Sequence, residues 1–123
     1  MKFYVCEECE QLVFELFEHN GKLFHCEKEM KEIEPIMNSN EKDYILSVDK
    51  IGNFVKVKIG DYPHRMLDIH HIKVVILETS CGFQCKYIKD YKRPIVDFMV
   101  DDNEKVLNVY AYCNIHLLFG KSM

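Results

Sequence analysis

The stretch "NFVKVKIG" (residues 53–60) alternates without a break, with Val55, Val57 and Ile59 on one face and Lys56 and Lys58 on the other. A period of two puts successive side chains on opposite sides of an extended backbone, so this is a strand with one buried face. The segments "HIKVVILE", "RPIVDFMV" and "KVLNVYAYC" supply three more strands, the first rich enough in β-branched residues to be buried more deeply. Turn signals separate them: "KIGN", "GDYP", "SCGFQC" and "DDNEK". No long helical periodicity, internal repeat or low-complexity tract interrupts the pattern. A small antiparallel β-sandwich is the expected outcome.

That pattern begins near Asp43. Residues 1–36 differ: they hold three cysteines, the glycine turn "HNGK" and short apolar alternations such as "QLVFELF". So short a piece buries little core and needs a metal or another staple. The polar run "MNSNEK", residues 37–42, reads as a linker. The expected division is a metal-binding unit over 1–36 and a sandwich over 37–123.

Composition excludes several partners. With 48% apolar and 12% aromatic residues the chain is packed rather than disordered. Its net charge of −4, with Lys and Arg scattered, argues against nucleic acid. No stretch approaches the roughly 18–20 apolar residues of a membrane span, and "MKFYVCEECE" turns acidic at once, unlike a signal peptide. A cytoplasmic protein is expected, in which six cysteines serve as metal ligands or free thiols rather than as a disulfide frame.

Two groups of residues can bind metal in the larger part. "DYPHRMLDIHHI" (61–72) concentrates His64, His70 and His71, and "YCNIH" places Cys113 and His116 three positions apart at a strand end. Taken alone, the second pair reads as a buried thiol beside an unrelated surface histidine. Together with the upstream histidines it gives a nitrogen-rich set with one strong sulfur donor, suited to iron more than to magnesium or calcium.

"GDYPHRMLDIHHI" and "YCNIH" resemble the "PHPM…HYI" and "CNLHG" segments of the superoxide reductases, the desulfoferrodoxin and neelaredoxin family, and "EKDYILSVDKIGNFVKVKIG" resembles the segment before them. The resemblance implies an immunoglobulin-like β-sandwich with a mononuclear non-haem iron at one end. Four His nitrogens surround that iron, and a Cys sulfur lies opposite an open position. It carries His64, His70, His116 and Cys113 over as ligands. His71 falls where the family has Tyr, and adjacent strand residues face opposite ways, so His71 is set aside. The family's fourth His follows a Glu-Lys pair. Here the chain reads Glu41-Lys42-Asp43. Coordination by Asp43, a four-ligand centre, or substitution by a nearby His are the open arrangements.

The implied reaction is one-electron reduction of superoxide to hydrogen peroxide without release of dioxygen. The resemblance gives Lys42 the role of attracting the superoxide anion and supplying protons through water, and lets Glu41 occupy the open position in the oxidised state. It also implies a rubredoxin-like electron donor, a homodimer and an anaerobic or microaerophilic setting. The alternative is a non-catalytic iron- or zinc-binding, electron-transfer protein of the same fold, its activity lost with the missing His. A third reading is a structural sandwich whose N-terminal zinc knuckle binds a protein partner.

In the N-terminal part, Cys6 and Cys9 form C-x-x-C, and fifteen residues separate Cys9 from His25-Cys26. This resembles the desulforedoxin-type domain, where an adjacent Cys-Cys pair completes the iron site, and "CEKEM" is similar to its "CGEPM". With His25 replacing a thiolate, Cys6, Cys9, His25 and Cys26 form a Cys3His set that suits zinc and accepts iron. Cys81 and Cys85 have no family counterpart and read as loop or core thiols, and His19 as an exposed turn residue.

Overall fold

A computed structural model describes residues 1–41, 44–60, 71–88, 95–113 and 117–123. Among the described residues the chain is all-β, and it divides into two units, Met1–Glu34 and Pro35–Met123. Among the described residues, no helix is long and apolar enough to cross a membrane.

The first unit contains β1 (Phe3–Val5), β2 (Leu12–Phe14), β3 (Phe24–His25), β4 (Lys28–Glu29) and β5 (Lys31–Ile33). β1 is the central strand of a three-stranded antiparallel sheet, between β2 and β5, while β3 and β4 form a hairpin. Its small core joins Tyr4, Cys6 and Met30, with Val13 and Leu23 against them. His19 is exposed, as expected of a turn residue, and is tied to Glu15, whose carboxylate lies 3.0 Å from Nδ1 and also accepts the Tyr4 hydroxyl at 2.5 Å.

The second unit is a two-sheet, mainly antiparallel sandwich of the immunoglobulin-like kind, built from β6 (Ile36–Met37), β7 (Leu46–Ile51), β8 (Phe54–Ile59), β9 (Ile72–Thr79), β10 (Gly82–Tyr87), β11 (Ile95–Met99), β12 (Val106–Cys113) and β13 (Leu118–Ser122). One sheet runs β10-β9-β12-β13-β6 and the other β11-β8-β7. The alternation read from the sequence holds: Val55, Val57 and Ile59 are fully buried and meet Val75, Leu77, Val109, Ala111, Cys113 and Phe119 from the facing sheet. The edge strands β10 and β11 are bridged by side chains, Gln84 Nε2 donating to the Met99 carbonyl at 2.6 Å and Lys86 Nζ to that of Asp97. Those carbonyls are thereby withdrawn from pairing with another chain.

Residues 36–38 are not a free linker. β6 pairs in parallel with β13, and Asn38 donates to the Gly120 carbonyl (2.8 Å) and exchanges side-chain bonds with Ser122. Gly120 makes this approach feasible. A Cβ there would lie 2.7 Å from the Val109 carbonyl oxygen and 2.8 Å from Met37 Sδ. Gly120→Ala is expected to destabilise the sandwich by about 1–3 kcal/mol. Urea unfolding checks this, and an unchanged midpoint contradicts it.

The outer face of β9 and β12 carries one titration of its own. Tyr110 donates to Glu78 at 3.1 Å, and desolvation, then the Glu78 charge, push its phenol up to about 12. The neutral phenol is favoured in the fold, so its contribution is complete below an unfolded value of about 10 and is lost as pH rises through about 12. Thermal unfolding should show an alkaline decline across that window that is shallower in Tyr110→Phe.

Three turns meet at one end of the sandwich. Gly52 (φ +60°) opens the two-residue β7–β8 turn, a conformation glycine adopts freely. Asn53 bonds Asp102 (2.7 Å) and its carbonyl accepts the Val100 N–H (2.8 Å), while the Ser80 N–H reaches the Lys105 carbonyl (2.8 Å). The buried hydroxyl of Thr79 donates to Glu104, holding that carboxyl below its usual range. With the β7–β8, β9–β10 and β11–β12 turns together, the opposite strand ends, at Leu46, Ile59, Ile72, Ile95, Cys113 and Leu118, share the other end.

Candidate metal centres

The N-terminal cluster is built from two turns. The C-x-x-C turn follows β1: the Glu10 N–H donates to the Cys6 carbonyl (2.8 Å), and the Cys6 N–H to that of Gln11 (2.9 Å). The second is the β3–β4 turn, whose central residues Cys26 and Glu27 have φ of +52° and +61°. Leaving the extended conformation there breaks strand alternation, so adjacent residues His25 and Cys26 can face one point. Glu10, after the first turn, has φ +67°. These are left-handed positions occupied by non-glycine residues, each costing about 1–2 kcal/mol.

The ligand atoms of Cys6, Cys9, His25 and Cys26 all lie within 4.8 Å of one another. His25 Nδ1 is 3.1 Å from Cys9 Sγ and 3.3 Å from Cys26 Sγ. Cys6 is buried, its Sγ 3.8 Å from the His25 carbonyl, and the other three are exposed. The Cys9 backbone N–H, then His25, pull the Cys6 thiol down to about 6. Hydrogen bonding with Cys9, then desolvation, push Cys26 up to about 11. A tetrahedral ion bound by sulfur at about 2.3 Å and nitrogen at about 2.0–2.1 Å requires S···N edges of about 3.6 Å. The cluster fits such an ion.

In the sandwich, Cys113 is the last residue of β12, is fully buried in the core, and its N–H donates to the Leu117 carbonyl at 3.0 Å. It lies opposite Ile72, two residues after His70 in the sequence. Between Tyr112 and Cys113 the ladder shifts: Tyr112 faces Val74 while Cys113 faces Ile72, leaving Lys73 as an extra residue in β9. This bulge lets Ile72 join Val75 and Leu77 in the core, against simple alternation. His71 directly precedes β9 and is half-buried. Glu41 is exposed, with its N–H on Ser39 Oγ (3.1 Å) and its carbonyl accepting from Tyr44 (3.0 Å). Lys42, Asp43, His64, His70 and His116 lie outside the described residues.

Cys81 sits in the β9–β10 turn and Cys85 on β10, both exposed and free. Four residue steps of extended chain separate them by roughly 13 Å, too far to share a metal or a disulfide. The β9 bulge and the left-handed β3–β4 turn are the features that sequence reasoning missed. The family's glycine in "CGEPM", replaced here by Glu27, was the available signal for the second.

The fold is similar to that of the superoxide reductase from Treponema pallidum. That structure matches with a TM-score of 0.82 over 97% of this chain and 95% of its own, at 24% identity. The chain belongs to the desulfoferrodoxin family, whose model, described as Desulfoferrodoxin, matches residues 27–122. It is 29% identical to a desulfoferrodoxin homolog of Archaeoglobus fulgidus, over 97% of this chain and 94% of that protein. It is 26% identical to the superoxide reductase (1Fe-SOR) of Giardia intestinalis, with a TM-score of 0.55 over 68% of this chain and 98% of that one.

Proposed function

We propose that the protein is a superoxide reductase, with iron held by Cys113, His64, His70 and His116 and with Asp43 as the candidate fifth donor. The observation that carries this reading is the buried thiol of Cys113 opposite Ile72, at the end of the sandwich where the strand ends flanking 42–43, 61–70 and 114–116 also lie. One thiolate and three imidazoles from those segments make a donor set that suits iron. His70 is taken as the ligand and His71 is set aside, because His71 falls where the family has Tyr. The superoxide reductase neighbour from Giardia intestinalis, 26% identical, supports the same reading.

Held by these residues, iron would supply the single electron that superoxide needs, with two protons, to become hydrogen peroxide. The chain's residues arrange the rest. Cys113, buried away from water, brings a strongly donating thiolate whose charge the apolar core does not screen. A carboxylate at Asp43 is a harder, anionic donor than imidazole and favours the ferric state. Lys42 contributes the positive charge that draws the substrate anion, and protons reach the product through it and water. A rubredoxin-like protein returns the electron.

Rapid mixing of reduced, iron-loaded protein with superoxide tests the proposal: the iron should be oxidised and peroxide should appear. Lys42→Ala should slow this step by about tenfold at low salt, with the two rates converging as salt screens the charge. Equal rates at low salt would remove Lys42 from the mechanism, and no oxidation of wild-type iron would refute the function.

A further inference from the structure

The family resemblance leaves the metal of the N-terminal cluster open between iron and zinc. We infer that in this chain it is a closed Cys3His zinc site, bound by the thiolates of Cys6, Cys9 and Cys26 and by His25 through Nδ1, and that it holds the small unit together without exchanging electrons. The inference rests on reading these four donors as a metal site.

The ligating atom follows from distance. Nδ1 is the ring nitrogen within 3.1 and 3.3 Å of two of the sulfurs, close to the tetrahedral edge of about 3.6 Å. Neighbouring residues can both bind one ion only when one donor is short in reach and the backbone turns between them. Nδ1, nearer the main chain than Nε2, gives the first, and φ +52° at Cys26 gives the second.

The choice of metal follows from charge. Four thiolates around iron stabilise the ferric ion with four negative charges. Replacing one by neutral imidazole removes one of those charges from the oxidised state. In the divalent state, zinc binds a given nitrogen and sulfur set more tightly than ferrous iron does. Iron therefore loses the advantage that oxidation gave it. All four positions are filled by protein donors, so none is left for substrate or water, the mark of a structural zinc site. The unit also needs such a clamp: its buried apolar residues are four, Phe3, Tyr4, Cys6 and Met30, and Glu10, Cys26 and Glu27 hold left-handed backbones at the turns that carry the donors.

The test uses the full chain, reduced and loaded anaerobically with equal amounts of Fe(II) and Zn(II), then freed of excess metal and oxidised. At least one tightly held zinc per chain is expected, and it should be retained in Cys113→Ser. The only thiolate-to-ferric absorption should be that abolished by Cys113→Ser. In His25→Cys the retained zinc should fall, and a second iron with new thiolate-to-ferric bands should appear. With all sites zinc-loaded and histidines labelled with nitrogen-15, the His25 ring should show a metal-shifted Nδ1 and a protonated Nε2. Iron in the wild-type N-terminal site overturns the zinc assignment, and a metallated Nε2 overturns the donor atom. No metal retained there overturns the premise. None of these results bears on superoxide reduction, which Cys113→Ser addresses separately.

Discussion

Cys113→Ser should lose superoxide reduction by more than about a hundredfold, because removing a direct ligand outweighs the roughly 10–100-fold losses seen when a ligand's supporting partner is removed. The sulfur sits at 0% exposure among Val75, Ala111 and Phe119, with its backbone fixed on Leu117. Serine fits the space. It replaces a soft, charge-donating thiolate with a hydroxyl that is a poor ligand, and that hydroxyl is left in an apolar core at a cost of about 1–3 kcal/mol. The variant should therefore fold, bind iron more weakly, and lack the thiolate-to-ferric absorption of the oxidised wild type. Visible spectra and rapid mixing with superoxide, on protein whose folding is checked by circular dichroism, measure all three. Wild-type rates in an iron-loaded Cys113→Ser protein would show that the sulfur is not part of the centre.

Stripping the N-terminal metal should unfold residues 1–34 and leave the sandwich intact. Structural zinc contributes about 10–16 kcal/mol of binding energy in small zinc-dependent units, more than the few kcal/mol that a core of this size supplies. After mild chelation, amide exchange in β1, β2 and β5 should become as fast as in unfolded chain, while β9 and β12 keep their protection. Glu27→Gly relieves a left-handed backbone at φ +61° without touching a donor, and should slow this loss. Persistent protection of β1 in the metal-free protein would mean that the sheet, not the cluster, holds the unit.

Much of this was legible in the sequence because local chemistry set it. The Val55-Val57-Ile59 alternation is a property of neighbouring residues, and its buried face follows from period two. The Cys6, Cys9, His25 and Cys26 set was legible because its spacing is short and its residue types are few. The Lys73 bulge was not legible. It arises from register against β12, a strand more than thirty residues away, and nothing in "HIKVVILE" announces it. Yet it is what turns Ile72 into the core. The docking of residues 36–38 on β13 was hidden for a similar reason: it depends on the space left by Gly120, which no local pattern reveals. Polar "MNSNEK" looked like solvent-facing linker because Asn38 is polar, but its amide is used to bind Ser122.

The central claim is that the iron centre reduces superoxide rather than disproportionating it, and the peroxide yield tests this most directly. Reduced, iron-loaded protein should be mixed anaerobically with a limiting amount of superoxide, and peroxide and dioxygen both measured. Reduction predicts one peroxide for each superoxide consumed, one iron oxidised with it, and no dioxygen beyond that of an uncatalysed control. Half a peroxide for each superoxide, with dioxygen released and the iron still ferrous, would contradict the account.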